Sequence, residues 1–239
     1  MAIQNGFIQI IQDEKRDYQY EEAMKTLRTN IQFSGNGLKV IMLTSTMPDE
    51  GKSETSSQLA ISMAQTEGRV LFIDADIRKS VLVSRFGVGQ QIYGLTQYLT
   101  GQRLLGEGLY HTNLPNLDII FSGPMAPNPA ELLSEDAFSK LIAWARNEYD
   151  TIIIDTPPLG SVIDGAIIAQ RCDGAILVVE SGALSYRLVQ KAKSQLERTG
   201  CRILGAVLNR VDMAGSGYYH RYYGKYSKYT KYYENEPVK

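Results

Sequence analysis

Thr44-Ser45-Thr46-Met47-Pro48-Asp49-Glu50-Gly51-Lys52-Ser53 is the stretch whose reading decides the fold. An apolar run, Val40-Ile41-Met42-Leu43, leads into it, and a segment of helical character follows from near Ser53 through Leu59-Ala60-Ile61 to Met63-Ala64. Strand, tight loop ending Gly-Lys-Ser, then helix is the setting of a phosphate-binding loop. A triphosphate needs backbone N–H groups turned inward at the positive end of a helix. Gly51 lets the backbone come close, Lys52 reaches the β- and γ-phosphates, and the Ser53 hydroxyl ligates magnesium. The expected nucleotide cradle is therefore Thr46, Met47, Pro48, Asp49, Glu50, Gly51, Lys52, Ser53 and Glu54. Thr46 stands where the pattern G-x-x-x-x-G-K-[ST] has its first glycine, so this stretch alone leaves room for an ordinary strand-to-helix turn with a surface lysine.

Outward from the loop, two further strand ends carry acids. Gly68 is read as the end of the helix, as a C-terminal glycine commonly is. Val70-Leu71-Phe72-Ile73 is a continuous apolar run of the kind a buried parallel strand shows, and it delivers Asp74-Ala75-Asp76-Ile77-Arg78. Asp74 and Asp76 can each coordinate magnesium or accept a proton, while Asp74 can also simply start a turn. Thr151-Ile152-Ile153-Ile154 delivers Asp155, placed like the aspartate that faces the magnesium shell in phosphate-loop enzymes. Gly174 to Val179 reads as another buried strand, and Ile203 to Leu208 as the last, delivering Asn209. Asn209 can meet an adenine edge or initiate a turn. Strands alternating with helices of 10–15 residues mean βα units, a mostly parallel central sheet and helices on both faces, a three-layer α/β phosphate-loop NTPase fold.

The rest of the chain is read more coarsely. Residues 1–17 have no clear period, and the domain is drawn over 18–213. From Tyr18 to Phe33 the residues Tyr20, Met24, Leu27 and Ile31 recur at helical spacing. Glu21, Lys25 and Arg28 share another face of that helix, with Glu22 and Asn30 nearby, either as a solvated surface or as a contact to another subunit. Gly94–Leu99 and 104–109 are expected to be short helices, Leu117–Phe121 a strand, and 130–146 one helix. Cys172 and Cys201 are the only cysteines and have no paired spacing, so buried thiols are expected. A net charge of −1 gives no basic field for nucleic acid. No signal peptide and no apolar run of membrane-spanning length is read, so a cytoplasmic protein is expected.

From residue 214 the chemistry changes. Eight of the fifteen tyrosines fall in the last 22 residues: Tyr218, Tyr219, Tyr222, Tyr223, Tyr226, Tyr229, Tyr232 and Tyr233. After Ala214 the only aliphatic side chain is Val238, so residues 214–239 have little with which to build a core and are expected to form a flexible tail. The tyrosines fit a packed stripe, a stacking platform for single-stranded nucleic acid, or a row of acceptors for the γ-phosphate. A tail of this length extends roughly 80 Å, enough to enter a neighbouring subunit.

Assembled, these residues resemble the bacterial tyrosine kinases (BY-kinases) of the capsular and exopolysaccharide type. The resemblance is carried by Glu22-Ala23-Met24-Lys25-Thr26-Leu27-Arg28-Thr29-Asn30, Pro48 to Ser53, Ile73 to Arg78, Pro127-Asn128-Pro129-Ala130-Glu131-Leu132-Leu133, Ile154-Asp155-Thr156-Pro157-Pro158 and the tyrosine cluster. It implies an ATP- and magnesium-dependent kinase that phosphorylates its own C-terminal tyrosines in trans within a ring, an octamer in that family. Lys52 and Ser53 would then be Walker A, Asp74 and Asp76 Walker A′, and Asp155 Walker B. Ser53, Asp76 and Asp155 would serve the metal, with Asp74 the first choice of base and Asp76 the second. Glu22, Lys25 and Arg28 would match the subunit-contact motif. A membrane adaptor of the polysaccharide co-polymerase type would activate the kinase at the inner face of the membrane, and a protein-tyrosine phosphatase would reverse it. Asp49 departs from the glycine usual after Pro48, and Lys25 from the usual first arginine. Two rival readings are an ATPase switch of the partition or septum-positioning type, which needs a lysine where Met47 stands, and a structural regulator of a polysaccharide machine.

Overall fold

The computed structural model describes residues 6–10, 18–66, 68–89 and 91–211. The eight tail tyrosines from Tyr218 to Tyr233 lie outside the described residues. In chain order the elements are β1 (Gly6–Ile8), α1 (Tyr18–Phe33), β2 (Val40–Ser45), α2 (Lys52–Ala64), β3 (Val70–Asp74), α3 (Leu82–Arg85) and α4 (Leu95–Leu99). A single 3₁₀ turn, Leu105–Glu107, leads to β4 (Leu109–Thr112) and β5 (Leu117–Ile120). Then come α5 (Pro129–Ser134), α6 (Asp136–Glu148), β6 (Thr151–Asp155), α7 (Asp164–Ala169), β7 (Gly174–Glu180), α8 (Tyr186–Glu197) and β8 (Ile203–Asn209).

These strands form one eight-stranded sheet in the order β1-β4-β5-β3-β6-β2-β7-β8. Among the described strands every pairing is parallel except β4 with β5. Alternate strand residues feed two cores. Met42, Ile73, Ile154 and Leu177 pack with α5, α6, α7 and α8 on one face. Leu43, Phe72, Ile153 and Val178 pack with α1, α2 and α3 on the other. That is why these strands read as unbroken apolar runs: both faces are covered, and each buried aliphatic contributes roughly 1.5–3 kcal/mol. The three-layer α/β fold expected from the sequence is the one observed.

Several details differ from the sequence reading. Residues 6–10, in a stretch without period, supply the edge strand β1, which pairs with Tyr110–Thr112. A Cβ at Gly6 would stand 2.5 Å from the Tyr110 ring, so only glycine lets the two strands meet there. The segment 104–109 is one 3₁₀ turn followed by β4 rather than a helix. The helix expected over 130–146 is broken at Glu135, whose φ of −69° and ψ of 162° are extended. Gly68 does not end α2, which stops at Ala64; the chain there turns to put Arg69 N–H on Asp150 Oδ2 at 2.8 Å. Cys201 is buried and Cys172 half-buried, both as free thiols.

Candidate nucleotide site

β2 stops at Ser45 and the chain turns through residues 46–51 into α2. Gly51 is the N-cap at φ 81°, in the left-handed region, and no side chain caps the first amides of the helix. Those uncapped amides and the positive helix end are a setting that suits an anion. A Cβ on Gly51 would lie 2.0 Å from Asn209 Nδ2, so the close packing of loop against β8 depends on glycine.

The loop is braced from several sides. The buried Glu50 carboxylate accepts the Met47 N–H at 2.7 Å and the Glu180 N–H at 3.1 Å. Asn209 Nδ2 donates to the Glu50 carbonyl at 2.9 Å, Ser45 Oγ to the Met47 carbonyl at 2.8 Å, and Gly160 N to the Thr46 carbonyl at 2.9 Å. Sequence reasoning had Asn209 at an adenine edge or starting a turn; its amide holds the loop backbone. Asp49 sits at φ 67°, a conformation that glycine adopts freely and an L residue does not.

Lys52 is buried, and its Nζ donates to Asp155 Oδ1 at 2.7 Å and to Ser53 Oγ at 3.1 Å. Ser56 Oγ donates to the same carboxylate oxygen at 2.9 Å. The other oxygen, Asp155 Oδ2, is buried without a hydrogen-bond partner. Asp74 and Asp155 are register partners on β3 and β6, so two carboxylates end neighbouring strands side by side. Burial and the Asp155 charge push Asp74 up from 3.8 to about 7, against the opposing pull of Ser80 and Lys52. Asp74 Oδ2 accepts the Ser80 hydroxyl and the Ser122 N–H, and Oδ1 accepts the Asp76 N–H at 3.3 Å, so Asp74 both starts a turn and faces Asp155.

Above this buried acid–lysine–acid layer opens a cleft of about 280 Å³ lined by the loop, Asp76, Arg78, Arg85, Pro157 and Arg210 among others. Lys52, Ser53, Glu54, Asp76 and the residues Pro48, Asp49 and Gly51 all border it, whereas Asp74 and Asp155 lie beneath. Glu54 pairs with Arg85 at the rim. Arg78 grips the fully buried Asp164 with two bonds of 2.6 and 2.9 Å, a pairing that no local pattern announces. A basic residue after the Asp-x-Asp stretch was the only local signal. Such a fork holds the guanidinium rigidly at the cleft wall.

Among the described residues no cluster of three or more His, Cys, Asp or Glu is ready to hold a metal ion alone. Magnesium does not ask for one: it is held by one or two carboxylates together with substrate phosphates. The orphaned Asp155 Oδ2 and the Ser53 hydroxyl, linked through Lys52 Nζ, which bonds both Ser53 Oγ and Asp155 Oδ1, fit that donor set.

The α1 residues behave differently from one another. Lys25 pairs with Glu22 at 2.6 Å on the surface. Arg28 turns inward and donates to the Ser62 carbonyl at 2.7 Å, tying α1 to α2, and Ile31 enters the core.

A family model described as an AAA domain matches residues 38–199. The tyrosine-protein kinase CpsD of Streptococcus agalactiae serotype III (strain NEM316) is 46% identical over 198 residues, 83% of this chain and 85% of that protein. The kinase domain of the Escherichia coli tyrosine kinase ETK superposes with a TM-score of 0.75 at 31% identity, covering 88% of this chain and 94% of that one. The septum site-determining protein MinD of Pyrococcus horikoshii, complexed with Mg-ADP, gives a TM-score of 0.63 at 24% identity over 74% of this chain and 72% of that one, a likeness of fold alone.

Proposed function

The chain belongs to the bacterial tyrosine-kinase family and to the AAA-domain family, and from that premise we propose that it transfers the γ-phosphoryl group of ATP to tyrosines of its own tail. The observation that carries this reading is the gathering of Lys52, Asp74 and Asp155 under one cleft at the mouth of the phosphate loop. The loop amides and Lys52 bind the β- and γ-phosphates. Ser53, Asp155 and Asp76 would hold magnesium, which would supply charge neutralisation on the phosphoryl oxygens.

A phenol has a pKa near ~10 and gains from a positioned base. Asp74 is that base, with Asp76 the second choice. Asp74 is closed off by the Ser80 hydroxyl, and the acceptor phenol takes that hydroxyl's place on Asp74 Oδ2. The acceptors are Tyr218, Tyr219, Tyr222, Tyr223, Tyr226, Tyr229, Tyr232 and Tyr233, reached in trans within a ring-shaped oligomer built on the helix of Glu22, Lys25 and Arg28. No helix among the described residues is long and apolar enough to cross a membrane. In this reading a membrane adaptor recruits and activates the kinase for capsule or exopolysaccharide synthesis, and a phosphatase resets it. The septum-positioning type of ATPase is disfavoured by Met47.

Incubation of the full chain with Mg-ATP and an adaptor's cytoplasmic segment, followed by phosphosite mapping, tests this. Phosphate is expected on the tail tyrosines. Phosphate confined to Ser or Thr, or ATP turnover without protein modification, overturns the assignment.

Asp49→Gly is expected to relieve the left-handed strain and remove one negative charge beside the phosphates. The loop should gain roughly 0.5–1 kcal/mol and bind Mg-ATP a few-fold more tightly, as read by thermal unfolding and calorimetry.

A further inference from the structure

α8 is attached to the core by the buried Ala192 and Leu196 and the half-buried Val189. Arg187, Lys191 and Arg198 follow one another at helical spacing on the opposite side, where with Gln190, Ser194 and Gln195 they line one shallow surface depression. The acidic residue of α8, Glu197, is already paired with Lys193 at 2.5 Å on another face. The three stripe cations have no ion-pair partner among the described residues. An outward row of three cations without an acid is a field that attracts a multiply charged anion.

The chain itself can provide one. Its described part ends at Val211, just past β8, and α8 begins just past β7, so both start from the same end of the sheet. The two ends are tied there by Ser181 N on the Asn209 carbonyl at 2.9 Å and by Arg210 on Glu180 at 2.9 Å. Residues 216–239 carry Arg221, Lys225, Lys228, Lys231 and Lys239 against Glu234 and Glu236, so the unmodified tail is repelled by the stripe. Each phosphotyrosine adds about −1.5 to −2 charge, so two or three reverse the tail's sign. Seven extended residues span roughly 24 Å and α8 is roughly 18 Å long, so Tyr218 and its followers reach the whole stripe from the root of the tail.

We propose that the Arg187–Lys191–Arg198 stripe of α8 is a docking surface for the phosphorylated tail of the same chain, parking spent phosphotyrosines away from the cleft. This rests on the tail being phosphorylated, and the test is independent of that step. Full-length protein is treated with phosphatase and kept free of nucleotide. It is titrated with a fluorescent synthetic peptide of residues 216–239, either unmodified or carrying phosphate on Tyr222, Tyr223, Tyr226 and Tyr229, and anisotropy is read at low and high salt.

The phosphopeptide is expected to bind at least roughly tenfold more tightly than the unmodified one, and Arg187→Gln/Lys191→Gln/Arg198→Gln to remove that preference at unchanged melting temperature. Equal binding of both peptides, or full binding by the triple variant, overturns the proposal. So does a stripe that ignores the phosphopeptide while carrying the protein onto vesicles containing phosphatidylserine, which would make it a membrane surface. A chain that binds the phosphopeptide yet never modifies its own tyrosines would sink the kinase reading and leave this surface standing.

Discussion

Asp74→Asn is expected to make the nucleotide- and magnesium-free protein more stable at pH 8 while removing its kinase activity. The reason is the position of Asp74, wholly buried and in register with Asp155. Its carboxyl is raised from 3.8 to about 7, chiefly by burial and then by the Asp155 charge. Below about pH 4 folded and unfolded chains both hold this proton, and the site makes no difference to the slope. Between pH 4 and 7 the unfolded chain has lost it and the folded chain keeps it, so wild-type stability falls by about 1.4 kcal/mol per pH unit, about 4 kcal/mol in all. Asparagine does not titrate. Its carbonyl keeps the Ser80 and Ser122 donors, at the cost of the long contact from Asp76. Denaturation midpoints followed from pH 4 to pH 8 should therefore diverge, the variant lying above wild type at the alkaline end. Parallel curves would show that Asp74 does not hold the proton. In the loaded enzyme, loss of a positioned base should lower the rate of tyrosine phosphorylation by roughly 10²–10⁴-fold.

Lys52→Met should fail for two separable reasons. Lys52 Nζ and Asp155 Oδ1 form a buried pair at 2.7 Å, 7% and 1% exposed. Removing one partner of such a pair costs about 3–5 kcal/mol, because the other charge stays buried. Ser56 continues to donate to Asp155, which places the loss at the lower end. Activity should drop by about 10³-fold or more, since the cation proposed to meet the transferring phosphate is gone. The double variant Lys52→Met/Asp155→Asn separates the effects. It should recover most of the stability in denaturant titrations and none of the phosphorylation. A double variant no more stable than the single one would mean that the pair contributes little to the fold.

What could be read from the chain divides along physical lines. The phosphate loop and the strand ends at Asp74 and Asp155 were legible because each couples an apolar run to a residue type that such a run does not need for its own sake. β1 and β4 were not, since strands of three and four residues have too few positions to show a period, and β1, at the sheet edge, is defined by a partner about a hundred residues away. The break at Glu135 is marked only by its neighbours Ser134 and Asp136, cap-favouring residue types that a helix also tolerates. The Arg78–Asp164 fork joins residues 86 apart, so no local pattern encodes it. Arg28 shows the same limit in reverse: spacing put it on a face of α1, and only the packing of α1 on α2 determines that the guanidinium meets Ser62.

The braces on the phosphate loop have a kinetic meaning. Glu50 fastens residue 47 at one end and the tip of β7 at the other, while Asn209 clasps the backbone between them. Ordering a free loop costs roughly 1–2 kcal/mol per residue. Here that entropy is surrendered once, as the chain folds, instead of at every encounter with ligand. A receptacle preorganised in this way needs no reshaping between turnovers, and its tempo is left to the arrival of the acceptor and the departure of the spent nucleotide.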